Sequence, residues 1–426
     1  MRNAAKCNLL VFLFLWALSL SCAGGTTNTT ILEDGSYFNG TSFIPFKELV
    51  IQGGKIVSIN SKHTQTKGQR ISVAGKYVMP GLIDAHVHLG GAPLGSDHWK
   101  DAVHNANSLL NCGVTTFVDL FYEESKCKEL KQQLKYAPEY YPTPIMSGPI
   151  LTAPEGHGTE YGIPTRTITT MAEAHTITND VIDSGADVIK VVYEAYIRPA
   201  HTLTKDMVKE IVAVAHQRNK KVFAHVSFGK EAQECAESGV DVLAHLPFTS
   251  LSDEQVVIIK KSGVALIPTI TVMQAYAEGF DSAYVNDPLL LQTNEISYSE
   301  TFTHQGTKAL RPSFFYAFRA NLKKCVAANI PIVAGTDAGN ANTFYGYSLH
   351  HEIAQYVKAG MSNAEALRSA TENIRFIFPN IKTGKIQQGY DADLLVLNAN
   401  PLEKISNTKS IAMIFHKGQP VKKLAN

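Results

Sequence analysis

At 426 residues the chain exceeds one small domain and has room for a large barrel plus an accessory unit. Its hydrophobic content of 45% and charged content of 18% are ordinary for a globular protein. The formal net charge of +1 gives no reason to expect a polyanionic partner, and no basic stripe marks a nucleic-acid surface.

The first two dozen residues stand apart. Arg2 and Lys6 precede an apolar run from Leu9 to Leu20, followed by the small residues around Cys22 to Gly25. A positive start, a short apolar stretch and a small-residue cleavage zone describe a signal peptide over residues 1–22. The run falls short of the roughly 20 apolar residues a bilayer span requires. Around Cys22 the stretch resembles a bacterial lipobox, with Ser19 where that motif prefers leucine. Lipidation of Cys22 and plain cleavage both remain open. The expected destination is the bacterial periplasm or the membrane, reached only through that lipid anchor, with secretion as the alternative. Four further cysteines, Cys112, Cys127, Cys235 and Cys325, show no CxxC spacing and are expected to be buried thiols.

Residues 30–77 hold alternating strands around Gly53-Gly54, and residues 384–426 hold hairpin-like runs at Asp393 to Leu397 and Ile411 to Gly418. Neither piece can bury a core alone, so the two are expected to combine into one small β-sandwich. Between them, over 78–383, a unit keeps returning: a glycine, a short β-branched run, then a polar helical stretch. The starts at Gly113, Gly185, Gly239 and Gly263 are alike. Eight strands are predicted, at 78–88, 113–120, 143–150, 186–193, 220–227, 240–247, 263–270 and 330–337. Helices are predicted between them at 98–111, 123–135, 204–219, 229–238, 252–262 and 313–328. Eight alternating units give an α/β fold, a (β/α)8 TIM-type barrel. A doubly wound open sheet is the competing reading, and no GxGxxG or Walker loop supports it. Residues 272–311 form a long connection, read as a lid over the barrel mouth.

The chemistry-bearing residues fall at the ends of these strands. His86 and His88 are two apart, so in an extended strand they face the same way. Paired imidazoles suit a borderline metal such as zinc. Lys190 ends the fourth strand, His225 the fifth, His245 the sixth and Asp337 the eighth. Active sites of this architecture are built from the C-terminal strand ends. Each residue has a plainer reading: a satisfied core histidine, a turn-capping aspartate, a surface lysine whose head reaches water. Six such coincidences at matched positions favour a single site.

The stretches Val78 to Leu89, Leu251 to Ile270, Ala334 to Gly339, Ala359 to Leu367 and Gly384 to Leu395, with His225 and His245, resemble the metal-dependent amidohydrolase superfamily, in its imidazolonepropionase and prolidase-like group. The resemblance extends over essentially all of the chain after the signal segment. It implies two divalent metal ions, zinc being the expected metal, with His86 and His88 on one and His225 and His245 on the other. It also implies that carbon dioxide adds to Lys190 as a carbamate bridging both ions. Asp337 would bind the first metal and move protons. A bare ammonium cannot ligate a cation, whereas a carbamate is an anionic oxygen donor, and burial near cations depresses a lysine pKa. The implied reaction is hydrolysis of a carbon–nitrogen bond by attack of metal-bound hydroxide.

Two departures from the prolidase-like pattern bear on the substrate: Tyr193-Glu194 where relatives carry a small Gly-rich run, and Ser227 where many carry another histidine. His157 is placed to stabilise an oxyanion, Tyr193 to lie near the mouth, and Arg198 and His201 to meet a substrate carboxylate. The expected partner is a small molecule, a dipeptide or N-acyl amino acid, and oligomers are compatible with the sequence. The alternatives are a mononuclear imidazolonepropionase-like hydrolase of a cyclic amide, with Lys190 structural, and a non-catalytic envelope protein that uses the barrel to bind a ligand.

Overall fold

The computed structural model describes residues 29–60, 67–90, 102–197, 199–279, 284, 286–293, 312–340 and 342–422. Residues 1–22, expected to be a signal segment, and Arg198 lie outside the described residues. Among the described residues no helix is long and apolar enough to cross a membrane.

Helices and strands alternate because local signals start and stop them sharply. Ser252 caps the helix Asp253–Ser262 in a reciprocal capping box with Gln255, and Thr170 with Glu173 does the same for Met171–Asp183. Gly263 then ends the first of these at φ 76°, a left-handed conformation that costs glycine nothing, and the chain turns at once into a strand.

The first seven barrel strands are β8 (Leu82–Val87), β9 (Val114–Asp119), the expected third strand in two pieces, β10 (Thr143–Met146) and β11 (Ile150–Thr152), then β13 (Ile189–Val192), β14 (Val222–His225), β15 (Val242–Ala244) and β16 (Ala265–Ile267). β8, β9 and β10 pair in parallel, as do β11, β13, β14, β15 and β16, where β12 (Arg166–Thr167) adds only an edge to β11. The Asp187 amide joins β10 to the start of β13 by donating to the Met146 carbonyl. The expected eighth strand is a narrow extended segment. It bonds β16 through Leu266 with Pro331 and Val333, then bonds β8 through Ala85 with Ala334 and His88 with Ala338. Hydrogen bonds thereby carry the sheet around a ring, the (β/α)8 arrangement, with helices outside.

Inside the ring Ile83, Ala85, Val118, Val188, Phe223, Val242, Ile267 and Val333 fill the barrel, and Ile374 and Ile377 pack against them. A larger apolar layer lies between the strands and the surrounding helices, which include Ala102–Asn111, Lys205–Gln217, Gly229–Glu237, Pro312–Ala327 and Tyr347–Lys358. Cys112, Cys127, Cys235 and Cys325 are buried free thiols in this arrangement.

The strand expected over 78–88 is two strands, divided at Gly81. β7 (Tyr77–Pro80) belongs to the sandwich and β8 to the barrel. One sandwich sheet has the order β5 (Lys55–Ile59), β4 (Glu48–Gln52), β1 (Thr29–Glu33), β6 (Gln69–Ser72). The other runs β19 (Gln419–Pro420), β18 (Ile411–His416), β17 (Leu394–Leu397), β7, β2 (Ser36–Phe38), β3 (Phe43–Pro45). Strands from both ends of the sequence share one apolar core that includes Leu32, Ile51, Ile56, Val78, Leu394 and Phe415. A buried pair ties this unit to the barrel: Asp393 holds His416 Nδ1 at 2.8 Å, and His416 Nε2 lies 3.3 Å from the Thr143 hydroxyl of β10.

Residues 272–278 of the expected lid continue the helix Ile270–Glu278 beside the barrel mouth. The buried Glu352 carboxylate accepts from the Ile270 and Thr271 amides and caps that helix. Of the remainder of 279–311, only Gly279, Tyr284 and residues 286–293 are described.

Candidate metal-dependent active site

The site opens where β8, β13, β14 and β15 end and where the segment 334–339 passes β8. That close passage depends on glycine. A Cβ on Gly335 would sit 2.9 Å from the His86 amide nitrogen, so any side chain would push the segment, and Asp337 with it, away from β8. Pairing between β8 and β9 is irregular between Asp84 and Val87. At this irregularity Asp84, a buried carboxylate, accepts from the His86 amide and from the amide and hydroxyl of Thr336, locking the two segments together. His245, Thr269 and Asp337 all take positive φ, at 74°, 50° and 59°. Such conformations cost non-glycine residues free energy and persist where the surroundings enforce them.

His88 Nε2 lies 2.8 Å and His86 Nε2 3.2 Å from Asp337 Oδ1, and the two nitrogens are 3.2 Å apart. The imidazoles then form a file. The ring of His86 is 5.0 Å from that of His245, His245 is 4.7 Å from His225, and His225 is 4.7 Å from His157. Ligand-capable atoms of His86, His245 and Asp337 cluster within 4.8 Å of one another, and those of His157, Glu194 and His225 form a second such group. His245 stands between the two groups, as near to His225 as to His86. His245 has a left-handed backbone, and its Nδ1 is held 2.7 Å from the Thr269 hydroxyl.

Lys190 reaches the same place from β13, where it pairs with Ile150 and Phe223. Its Nζ is buried without a hydrogen-bond partner, as are Asp337 Oδ1 and the Nδ1 atoms of His86 and His88. Unsatisfied buried donors and acceptors are costly, and Asp337 Oδ1 with the Nε2 atoms of His86 and His88 beside it forms a group that fits a bound cation. Burial pushes the Lys190 pKa down to about 7, against the opposing pull of Asp337. Burial, with the charge of Lys190 adding to it, drives His86 well below its ordinary value. Burial likewise leads in lowering His245, followed by the charges of His225 and Lys190. A neutral imidazole offers the lone pair that a metal needs.

Glu194 is a site residue that the sequence reading placed in the pocket without a role. It is 6% exposed, and its Oε1 lies 3.2 Å from His225 Nε2 and accepts from the Ser227 hydroxyl at 3.0 Å. Burial alone would raise its pKa, but the hydrogen bond and charge of His225 outweigh that and hold it near 2. Burial lowers His225 to about 4, so the pair is a carboxylate beside a neutral imidazole at neutral pH. Strand alternation carries the signal for Glu194: Lys190, Val192 and Glu194 all line the cavity. The same alternation overturns the expectation for Tyr193. Its side chain turns outward, buried, and its hydroxyl donates to Glu234 at 2.7 Å. His201 is also elsewhere, with its Nδ1 3.2 Å from the Pro154 carbonyl, joining two loops. His157 does line the cavity, and its Nδ1 is held 2.8 Å from Glu160.

Above these groups is a cavity of about 310 Å³, walled by Leu120, Phe121, Ile150, Phe248, Met273 and Tyr276. A few polar groups at the base of an apolar cavity orient a small molecule and exclude water.

Residues 77–421 match the model of the amidohydrolase family. The chain belongs to that family, and it is an enzyme that hydrolyses carbon–nitrogen bonds. Among curated proteins it is similar to an ochratoxinase of Aspergillus niger, 24% identical over 80% of this chain and 74% of that one. Among solved structures it is similar to a Xaa-Pro dipeptidase with bound methionine in its active site, at TM-score 0.76 and 21% identity, covering 93% of this chain and all of that one. It is also similar to a putative prolidase from Bifidobacterium longum, at TM-score 0.75 and 25% identity, covering 93% and 95% of the two chains. Divalent metals are general in the family, and the two clusters of histidine and carboxylate are candidate groups to hold them.

Proposed function

We propose that this amidohydrolase cleaves the amide bond of a dipeptide or N-acyl amino acid whose acyl side is apolar, using two zinc ions. The observation that carries this reading is the set of unpartnered buried atoms, Lys190 Nζ and Asp337 Oδ1 among them, facing the imidazole file beneath an apolar cavity. The names of the similar proteins, dipeptidase and prolidase, support a peptide-like substrate.

His86, His88 and Asp337 would hold the inner cation, His225 and His245 the outer, and Lys190, carboxylated on Nζ, would supply an anionic bridge. Such cations supply an activated water near neutral pH and polarise the scissile carbonyl. Lys190 can accept carbon dioxide because its amine loses its proton near pH 7, and the carbamate turns a buried cationic group into an anionic one. Asp337 is the carboxylate nearest the His86 and His88 nitrogens, and it would take a proton there and deliver it to the leaving nitrogen. His157, its Nδ1 tied to Glu160, lines the cavity and would face the scissile carbonyl. The apolar walls exclude water and seat the acyl side chain.

The test is a screen of purified, metal-loaded protein against dipeptide and N-acyl amino acid libraries. Turnover concentrated among substrates with aromatic or aliphatic acyl groups is expected, and turnover of neither class would end this reading. The tight grouping of His245 with His86 and Asp337 favours a second reading, one cation with Lys190 structural and a cyclic amide as substrate. Lys190→Ala separates the two, since full metal content and activity in that variant would select the mononuclear form.

A further inference from the structure

We infer that Glu352 is a positioning residue for this active site. By capping the helix Ile270–Glu278 in place of Thr269, it leaves the Thr269 hydroxyl to His245 and sets where Met273, Tyr276 and, through Asn340, Asp337 stand. The inference rests on the metal-dependent reading above and adds to it a residue from behind the cavity wall.

The first amides of a helix have no partner within it, and the residue just before them usually accepts one on its side chain. Thr269 holds that place and is of a suitable type, yet its side chain caps nothing. Its backbone is left-handed, at φ 50° and ψ 46°, and its hydroxyl lies 2.7 Å from His245 Nδ1. Glu352 supplies the missing acceptors from the helix Tyr347–Lys358. One carboxylate oxygen accepts from the Ile270 amide at 2.8 Å and the other from the Thr271 amide at 2.7 Å. Two bonds to one rigid fork fix direction as well as distance, and negative charge suits a helix N-terminus. Glu352 is fully buried, where a carboxylate is costly unless it is hydrogen-bonded. An apolar side chain would avoid that cost and strand both amides.

The capped helix carries part of the site. At nine residues it is too short to hold its shape unaided, so its placement depends on its anchors. Met273 and Tyr276, three residues apart and so on one face, line the cavity. The Tyr276 hydroxyl donates to Asn340 Oδ1 at 2.8 Å, and Asn340 Nδ2 donates to the Asp337 carbonyl at 2.8 Å. One end of this helix therefore reaches His245 and the other reaches the backbone of Asp337, with Glu352 gripping the first turn between them.

The experiment compares wild type with Glu352→Gln, which keeps the volume but turns an NH2 group against one of the two amide donors. Zinc affinity in chelator competition should fall about tenfold, the lower end of the range for a group that orients a ligand. KM should rise more for substrates with large aromatic acyl groups than for acetyl substrates, because Met273 and Tyr276 move. A cap that only stabilises the fold would weaken both alike. Thr269→Val combined with Glu352→Gln should bind zinc no more weakly than the worse single variant, since both act on His245 through one hydroxyl, and effects that multiply would overturn the inference. Wild-type zinc affinity and unchanged substrate preference in Glu352→Gln, even with a lower Tm, would overturn it too.

Coupling is reciprocal, so wild type alone provides a test should Glu352→Gln not fold. Hydrogen exchange over 270–278 should slow several-fold on zinc binding, while the outer helix Met171–Asp183 stays unchanged. Equal exchange over 270–278 with and without zinc would refute the coupling. A protein that binds no zinc and cleaves no amide refutes the metal-dependent reading instead. Exchange over 334–340, which the helix reaches through Tyr276 and Asn340, then decides: faster in Glu352→Gln if Glu352 positions that segment, unchanged if it does not.

Discussion

His88 Nε2 and Asp337 Oδ1 lie 2.8 Å apart, although they come from the first and last staves of the barrel. The contact exists only because the ring closes between β8 and the segment 334–338. The inner site therefore reports on barrel closure, and Asp337 is the most informative residue to change. Asp337→Asn should cut turnover by about 10²–10⁴-fold, the usual contribution of a positioned acid–base group, while far-UV circular dichroism stays unchanged. Activity within a factor of a few of wild type would dismiss its role in proton transfer.

Lys190 should make metal loading depend on carbon dioxide. Metal-free protein given zinc in bicarbonate should regain activity faster than in gas-free buffer. The gain should also be larger above pH 7 than below, because the buried amine must first be neutral. Identical recovery with and without bicarbonate would argue for an uncarboxylated lysine.

Thr269 is fully buried and fixes His245 by a 2.7 Å contact to Nδ1. Thr269→Val keeps the shape and removes the hydroxyl. Loss of such an outer partner costs about 10–100-fold in metal affinity, read by competition with a coloured chelator. An unchanged affinity would show that the left-handed backbone at His245 suffices to aim the ring.

In the sandwich, burial works against the charge of Asp393, but the charge and hydrogen bond of His416 and contacts from Lys417 prevail and depress its pKa to about 2. A depressed carboxylate stabilises the fold above its unfolded pKa, near 4, and that contribution is lost as pH falls toward 2. The shift corresponds to about 2 kcal/mol. Asp393→Asn should lower stability by about 3 kcal/mol at neutral pH, since it strands a buried partner, and should flatten the acid limb of a denaturation midpoint against pH. A variant whose acid limb matches wild type would remove Asp393 as its source.

The repeated unit and the strand-end positions of His225, His245 and Asp337 were legible because barrel geometry maps period and order directly onto space, whereas Lys190 stands second in β13 and not at its end. His86 and His88 followed from the i, i+2 rule, even though the strand beneath them is irregular at Asp84. Which cation each imidazole would hold was not legible, because His86, His245 and His225 stand in one file at nearly equal spacing. Glu194 could have been found by extending the alternation of β13 two residues past its end. Its partner Ser227 belongs to a different strand end, so the pairing itself needed coordinates. The division of 78–88 at Gly81 was not legible because Val78, Met79 and Pro80 before the glycine and Leu82 and Ile83 after it are all apolar and buried.

That division at Gly81 has a consequence for biosynthesis. β7 borders β17 in the finished sheet, so a strand made early waits for one made after the whole barrel. On the ribosome, Val78 and its apolar neighbours stay uncovered until the chain has passed Phe415. Emerging molecules thus spend most of translation with an open sheet edge, a template for association with other chains. Premature termination just before β17 should yield aggregates in place of a smaller working enzyme.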